Sequence, residues 1–411
     1  MDFFLLGNGY DLHHTFPTRY IDFLNVVSFI VENENTTFST VGEVFSNTLL
    51  QSKNDFIKAA YEKHSRIYDD ITLNNEQISQ IIKLAKSNIW FKYFKEMFDC
   101  ELGWIDFEKE IAFVIRAFEQ FFEEPVSNSV YPHQNGLIFD LTKHPDNARA
   151  NFVIKKFNFF YERDPSSNSF FPSGNNQAII KKYCAEYPIG SKCFSFNREN
   201  IVSDLYSFLF ELSHILKLYL KVFIDEPTKK YSELGYEVRC RSFPSATHVF
   251  TFNYTNTFEL LHGETSSIEH IHGNVEKEIV LGVNPDDKDE LLGLDTTFIQ
   301  FKKYFQRIFL KTDVSFLHKV KNLSKFKKTQ SNDTLHVIGH SLDITDKDII
   351  VELFDLCGNI IVYHHNETAL KQHIKNLVDI YGKTEFDKIR RDKNLQFLLQ
   401  GEMEFKYDLP F

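Results

Sequence analysis

Six short apolar runs sit near the two ends of the chain, and helical periodicity fills the middle. Residues 2–6 (Asp-Phe-Phe-Leu-Leu) form an apolar run closed by Gly7-Asn8-Gly9, the pattern of a buried strand entering a tight turn. Pro17 reads as the first position of a helix, with Tyr20, Phe23, Leu24 and Val27 at helical spacing. Between residues 36 and 245 helices are expected over about 38–64, 74–99, 104–124 and 199–224. In the last of these Leu205, Leu209, Leu212, Leu216 and Leu220 form one stripe. A polar stretch over about 125–195, including residues 164–169 and 172–176, reads as loops. Strand patterns return at His248–Phe252, Ile268–His272, Glu278–Val283, Leu335–Gly339 and Ile360–Tyr363, with a helical block over about 288–328. Short apolar strands alternating with helices imply an α/β fold with a parallel sheet. Residues 1–35 and 246–411 would form that sheet domain, and 36–245 a large, mainly helical insertion.

Composition narrows the class. The chain has 411 residues, with 46 Lys and Arg against 57 Asp and Glu, a net charge of −11. That balance argues against a nucleic-acid surface, and the 15% aromatic content argues against disorder. The 43 Phe fit an AT-rich coding bias, with part of them packing the inserted helices. The start of the chain has no basic segment, and its apolar run is too short for a leader. The stretch from Leu205 to Ile224 carries Glu211, His214, Lys217 and Lys221, so it reads as a buried helix, not a membrane span. Five scattered cysteines, Cys100, Cys184, Cys193, Cys240 and Cys357, suit a reducing cytoplasm and exclude a disulfide scaffold.

Four places carry candidate chemistry, each just past an expected strand. In Gly7-Asn8-Gly9-Tyr10-Asp11 the glycines permit a sharp turn and close ligand approach; the third glycine of a dinucleotide fingerprint is replaced by Leu12, and a plain strand–turn–helix junction is the alternative. Asp11 would repel phosphate but accept a hydrogen bond from a ribose hydroxyl. Asn253, in Phe252-Asn253-Tyr254-Thr255, offers a donor and an acceptor at a strand's carboxyl end, or else caps a helix. His270 and His272 would share a face of one strand, with His272 as a general acid or base, a structural residue or a metal ligand. Gly339-His340-Ser341-Leu342, followed by Asp343 and Asp346, places Ser341 to touch a ribose or phosphate, or to cap a helix. Asp106 and Glu108 would start a helix; His13-His14 and His364-His365 read as surface or loop residues, and Lys325, Lys327 and Lys328 as a solvated face.

In this order the motifs resemble the AbiH family of bacteriophage abortive-infection proteins. Phe16-Pro17-Thr18, Tyr20, Phe23-Leu24-Asn25 and Trp104-Ile105-Asp106 extend the resemblance. A more distant likeness is to sirtuin-like defence effectors: the glycine turn to their phosphate turn, Asn253-Tyr254 to T-N-Y-D, His272-Gly273 to the catalytic His-Gly, and Gly339-His340-Ser341 to a G-x-S ribose contact. It implies a Rossmann-like, sirtuin-like sheet that holds NAD as substrate and hydrolyses its nicotinamide–ribose bond. Asn253 and His272 would be catalytic, and Gly7, Asn8, Gly9, Asp11, Tyr254, Gly339, Ser341 and Asp346 would bind the ligand. Asn8 and Asp11 stand where those relatives carry a small residue and a Ser, which leaves the nucleotide open. The expected partners are a nucleotide, a phage-derived trigger and a second copy of the chain, with no metal, membrane or nucleic acid. The alternatives are a non-catalytic nucleotide sensor acting through protein partners and a metal-dependent nuclease using His270, His272 and nearby acids.

Overall fold

The computed structural model describes residues 2–100, 106–123, 130–133, 136–139, 148–163, 177–186, 194–234, 239–240, 248–262, 267–283, 296–312, 333–400 and 407–408. Trp104, Ile105, the polar stretches 164–169 and 172–176, and Lys325, Lys327 and Lys328 lie outside them. The chain divides into two compact units. One comprises residues 1–86, 213–284 and 303–411; the other comprises 87–212 and 285–302.

The first unit is built on six parallel strands: β1 (Asp2–Leu6), β2 (His248–Thr251), β3 (Ser267–His270), β4 (Thr334–Ile338), β5 (Asn359–His364) and β6 (Leu395–Leu399). Their spatial order is β3-β2-β1-β4-β5-β6, so the direction of strand addition reverses between β1 and β4. β1 is central, with Phe3 in register with His248 on one side and Leu335 on the other. Its side chains alternate between two cores. Phe3 and Leu5 pack with Phe250, Leu335 and Val337, whereas Phe4 and Leu6 pack with Val249, Phe258 and Ile338. Burial on both faces explains why β1 reads as a continuous apolar run.

Two expectations change here. Glu278–Val283 is not a strand. Its backbone finds other partners: the Val280 amide donates to the His272 carbonyl at 2.9 Å, and the Gln306 side chain bonds both the Leu281 amide (2.9 Å) and carbonyl (3.0 Å). The sixth strand is instead Leu395–Leu399, which pairs with β5 at the sheet edge.

Helices Tyr20–Glu32, Val41–Gln51, Asp55–Asp70 and Asn75–Ser87 belong to the same unit. The helix after Pro17 starts at Tyr20, where Arg19 and Asp22 form a reciprocal cap, so Pro17 precedes it. Long helical patterns are broken by asparagine. Asn54 accepts from the Phe56 and Ile57 amides and starts one helix, and Asn88 accepts from Phe91 and starts another.

The second unit contains helices Ile89–Cys100, Phe107–Glu123 and Ala148–Lys156, and the part of Arg198–Leu220 up to Leu212. Asp106 caps the second of these through the Glu108 and Lys109 amides. Trp90, Phe94, Phe107, Phe118, Phe157 and Phe160 fill its core, with Phe94 stacked on Phe107 at 4.0 Å. It also carries short antiparallel strands between residues 130 and 196, too brief to show alternation in the sequence. Among the described residues no helix is long and apolar enough to cross a membrane.

Candidate functional site

The loops after β1, β2, β3 and β4 lie at the carboxyl edge of the sheet, around the point where strand order reverses. In open α/β sheets that edge is where ligands bind.

The turns after β1 and β4 are packed against each other backbone to backbone. The Gly7 amide donates to the Ile338 carbonyl at 3.0 Å and the Gly9 amide to the Gly339 carbonyl at 2.8 Å. A Cβ on Gly9 would stand 2.6 Å from Gly339 Cα, and one on Gly339, whose φ is +66°, would collide with the Tyr10 amide. These glycines therefore serve loop–loop contact, and two of the amides expected to face a phosphate are already engaged. Asn8 is exposed and accepts from the Thr18 hydroxyl at 2.6 Å.

Beneath this turn Asp11 is buried and accepts from the Thr255 hydroxyl at 2.7 Å, while its Oδ1 has no partner. Burial raises its pKa to about 6, against the lowering effect of the Thr255 and Thr257 hydroxyls. The loop after β2 supplies Asn253, whose buried Oδ1 is also without a partner. Its amide donates to Thr251 Oγ1 and its carbonyl accepts from His270 Nδ1, so Asn253 is fixed without capping a helix. The Tyr254 hydroxyl donates to the Val280 carbonyl and braces the loop after β3. Asn256 binds Asp225, a buried acid at the end of a π-helical turn, Lys221–Asp225. Burial raises the Asp225 pKa well above the usual carboxylate value.

β3 ends at His270, and Ile271-His272 form a turn. His270 and His272 thus do not share a strand face. His270 lies between the Asn253 carbonyl (2.9 Å) and Glu259 (2.5 Å). His272 is buried edge-on against the Phe252 ring, centroids 4.8 Å apart, and its Nε2 has no hydrogen-bond partner. Asp346 Oδ1 stands 3.6 Å from that nitrogen, beyond hydrogen-bond reach. The other oxygen of Asp346 is 3.5 Å from His340 Nε2, and Lys303 Nζ donates to Asp346 at 2.9 Å. Lys303 and the two histidines hold the Asp346 carboxyl far below its usual range, although burial opposes this. Burial, then the Lys303 charge, drive the His272 pKa well below 6.5, so its imidazole is neutral at pH 7. Among the described residues no three His, Cys, Asp or Glu side chains are arranged to hold a metal ion.

The structure therefore gathers His272, Asp346 and His340 into one cluster, and places Asp11 in the helix Asn8–His13 that follows β1 and Asn253 on the loop that follows β2. Ser341 is exposed and caps no helix; that part is taken by Asp343, which accepts from Thr345. His14 is not a surface residue: it is buried, and its carbonyl meets His64 Nε2 at 3.0 Å. Asp225, Glu259, Lys303 and Arg307 were not apparent from the sequence. The clue for the last two is that residues 303, 306 and 307 share one helical face.

The family described as "Bacteriophage abortive infection AbiH" matches residues 3–362. No curated protein and no solved structure matches. The matched span covers most of the chain and every residue of the cluster, and the protein belongs to this family.

Proposed function

We propose that this AbiH protein acts in abortive infection as a cytoplasmic effector that hydrolyses the nicotinamide–ribose bond of NAD at the carboxyl edge of its sheet. One observation carries the reading. Asp11, Asn253 and His272 each bury a polar atom without a hydrogen-bond partner, and all three lie in the segments that follow β1, β2 and β3, Asp11 in the short helix Asn8–His13. Such atoms are rare in native proteins and cost about 1–3 kcal/mol each, so a ligand rich in hydroxyls and amides is their natural partner. The strand order is also that of doubly wound dinucleotide-binding sheets, which supports a Rossmann-like, sirtuin-like assignment.

In the reaction the bond between C1′ and the nicotinamide nitrogen breaks, and its electron pair leaves with nicotinamide. A water oxygen bonds to C1′ and gives up its proton, leaving ADP-ribose. Neutral His272 accepts that proton, and the Asp346 carboxylate steadies the imidazolium that results. Asn253 Oδ1 accepts a hydrogen bond from the attacking water, and Asp11 Oδ1 accepts one from a ribose hydroxyl. A positioned base of this kind contributes about 10²–10⁴ in rate.

Metabolite profiling of phage-infected cells tests the reading. NAD should fall in cells carrying the wild type and persist with His272→Ala. Protection that depends on His272 while NAD stays constant rejects hydrolysis. A second reading, a nucleotide sensor working through a protein partner, is favoured by the low proton affinity of His272 in its buried setting. It expects nucleotide binding without turnover, and protection that survives His272→Ala.

A further inference from the structure

The helix Lys303–Leu310 is turned inside out. Lys303, Gln306 and Arg307 are buried, with Arg307 only 2% exposed, whereas Ile308 and Phe309 are 64% and 67% exposed. Burying cations and exposing apolar side chains opposes the hydrophobic effect, so the inward charges need compensation. Lys303 has it in Asp346. Arg307 has it only in part. One nitrogen, Nη2, pairs with Asp348, a side chain that is itself half exposed, while Nε and Nη1 are buried without any acceptor. Three of its five N–H groups are therefore unsatisfied. Close by in the chain, Thr312 Oγ1 is also buried without a partner, and its amide donates to the Arg307 carbonyl. Thr312 borders Gly273, the residue after His272.

We propose that Arg307, assisted by Lys303, forms an anion subsite beside His272 that takes a phosphoryl group of the ligand, of the diphosphate class. A phosphoryl group offers several acceptor oxygens and negative charge, which suits a guanidinium with three open donors better than water does. The glycine turn is the poorer candidate, because its Gly7 and Gly9 amides already donate to the Ile338 and Gly339 carbonyls. The inference rests on His272 marking the ligand site, but not on any bond being broken there.

Inorganic diphosphate is the probe, titrated calorimetrically into the full chain, with hydrogen exchange read by mass spectrometry. Wild type should bind it, with slowed exchange over residues 303–312. Arg307→Gln should weaken binding about tenfold or more, and Arg307→Lys less so. The wild-type exchange map serves as the criterion should Arg307→Gln not fold. Diphosphate bound in this way with NAD left intact upholds the subsite and rejects hydrolysis alone. No diphosphate binding, or protection confined to residues 7–13, overturns the subsite even where NAD is cleaved. Binding unchanged in a folded Arg307→Gln overturns it as well.

Discussion

Asp11 combines full burial, one hydroxyl donor at Oδ2 and an unpaired Oδ1. Burial raises its folded pKa to about 6, above the 3.8 of a solvated aspartate. The folded state thus holds this proton more tightly than the unfolded chain. The stability that follows is complete below about pH 3.8 and is lost as pH rises through about 6. Asp11→Asn removes the titration while keeping an acceptor for Thr255. Its stability relative to wild type should therefore rise between pH 4 and 7, by up to about 3 kcal/mol, and then level off. Denaturant unfolding at a series of pH values reads this; a constant difference counts against burial as the cause. The glycines give a second residue-scale test. Gly339 and Gly382 both have positive φ, but only Gly339 lacks room for a methyl group, since nothing lies within 4 Å of a Cβ on Gly382. Both alanine variants pay about 1–3 kcal/mol for the backbone. Gly339→Ala should lose about 1–3 kcal/mol more from overpacking. Equal losses would show that the two turns have space to part.

At the scale of elements, Glu278–Val283 shows how one side chain can stand in for a strand neighbour. Gln306 satisfies both the N–H and the C=O of Leu281. Gln306→Leu leaves both groups buried and unpaired, a cost of about 2–6 kcal/mol for the pair. Gln306→Glu keeps an acceptor for the amide and should lose less. Hydrogen exchange at Leu281 should quicken in the leucine variant; unchanged protection there would mean that the segment is held by something else. This element also marks the boundary of what was legible in the sequence. An apolar run such as Phe3–Leu6 announces a central strand because both its faces are buried. Ile279–Val283 has the same look, yet its partner is a glutamine that no local pattern reveals. β6 is the opposite case: Leu395-Gln396-Phe397-Leu398-Leu399 is mostly apolar, yet only Leu395 is buried, so its place at the sheet edge follows from pairing with β5 and not from its pattern. Long helical periodicity over 38–64 and 74–99 hid breaks at Asn54 and Asn88, where a single side-chain oxygen starts a new helix. His272 and Asn253 could be singled out because glycine and polar residues just past a strand are local signals. Arg307 could not, because a charge on a helix looks solvated until the helix is seen to face inward.

For the whole molecule, the decisive fact is that the sheet is assembled from distant stretches of chain. β1 pairs with β2 and with β4, so its neighbours come from residues 248–251 and 334–338. Removing residues 333–411 takes away β4, β5 and β6 and turns β1 into an edge. An exposed edge made of Phe3, Phe4, Leu5 and Leu6 is a template for association. The truncated chain should elute as aggregates and lack the cooperative unfolding transition expected of the full chain. A monomeric, cooperatively folding truncation would mean that β4 is dispensable to the core. Size-exclusion chromatography with thermal denaturation distinguishes the two.

The central position of β1 also has a consequence in time. Translation makes Phe3–Leu6 about 240 residues before β2 exists to receive it. At about 5–20 residues per second that interval lasts on the order of 12–50 s. During it this buried, apolar strand has no native neighbour, which makes it a natural client for a chaperone at the ribosome. His272, His340 and Asp346 are brought together only after β4 has been made. A nascent or prematurely ended chain therefore carries no assembled site, and whatever the protein does to an infected cell begins only once synthesis is nearly complete.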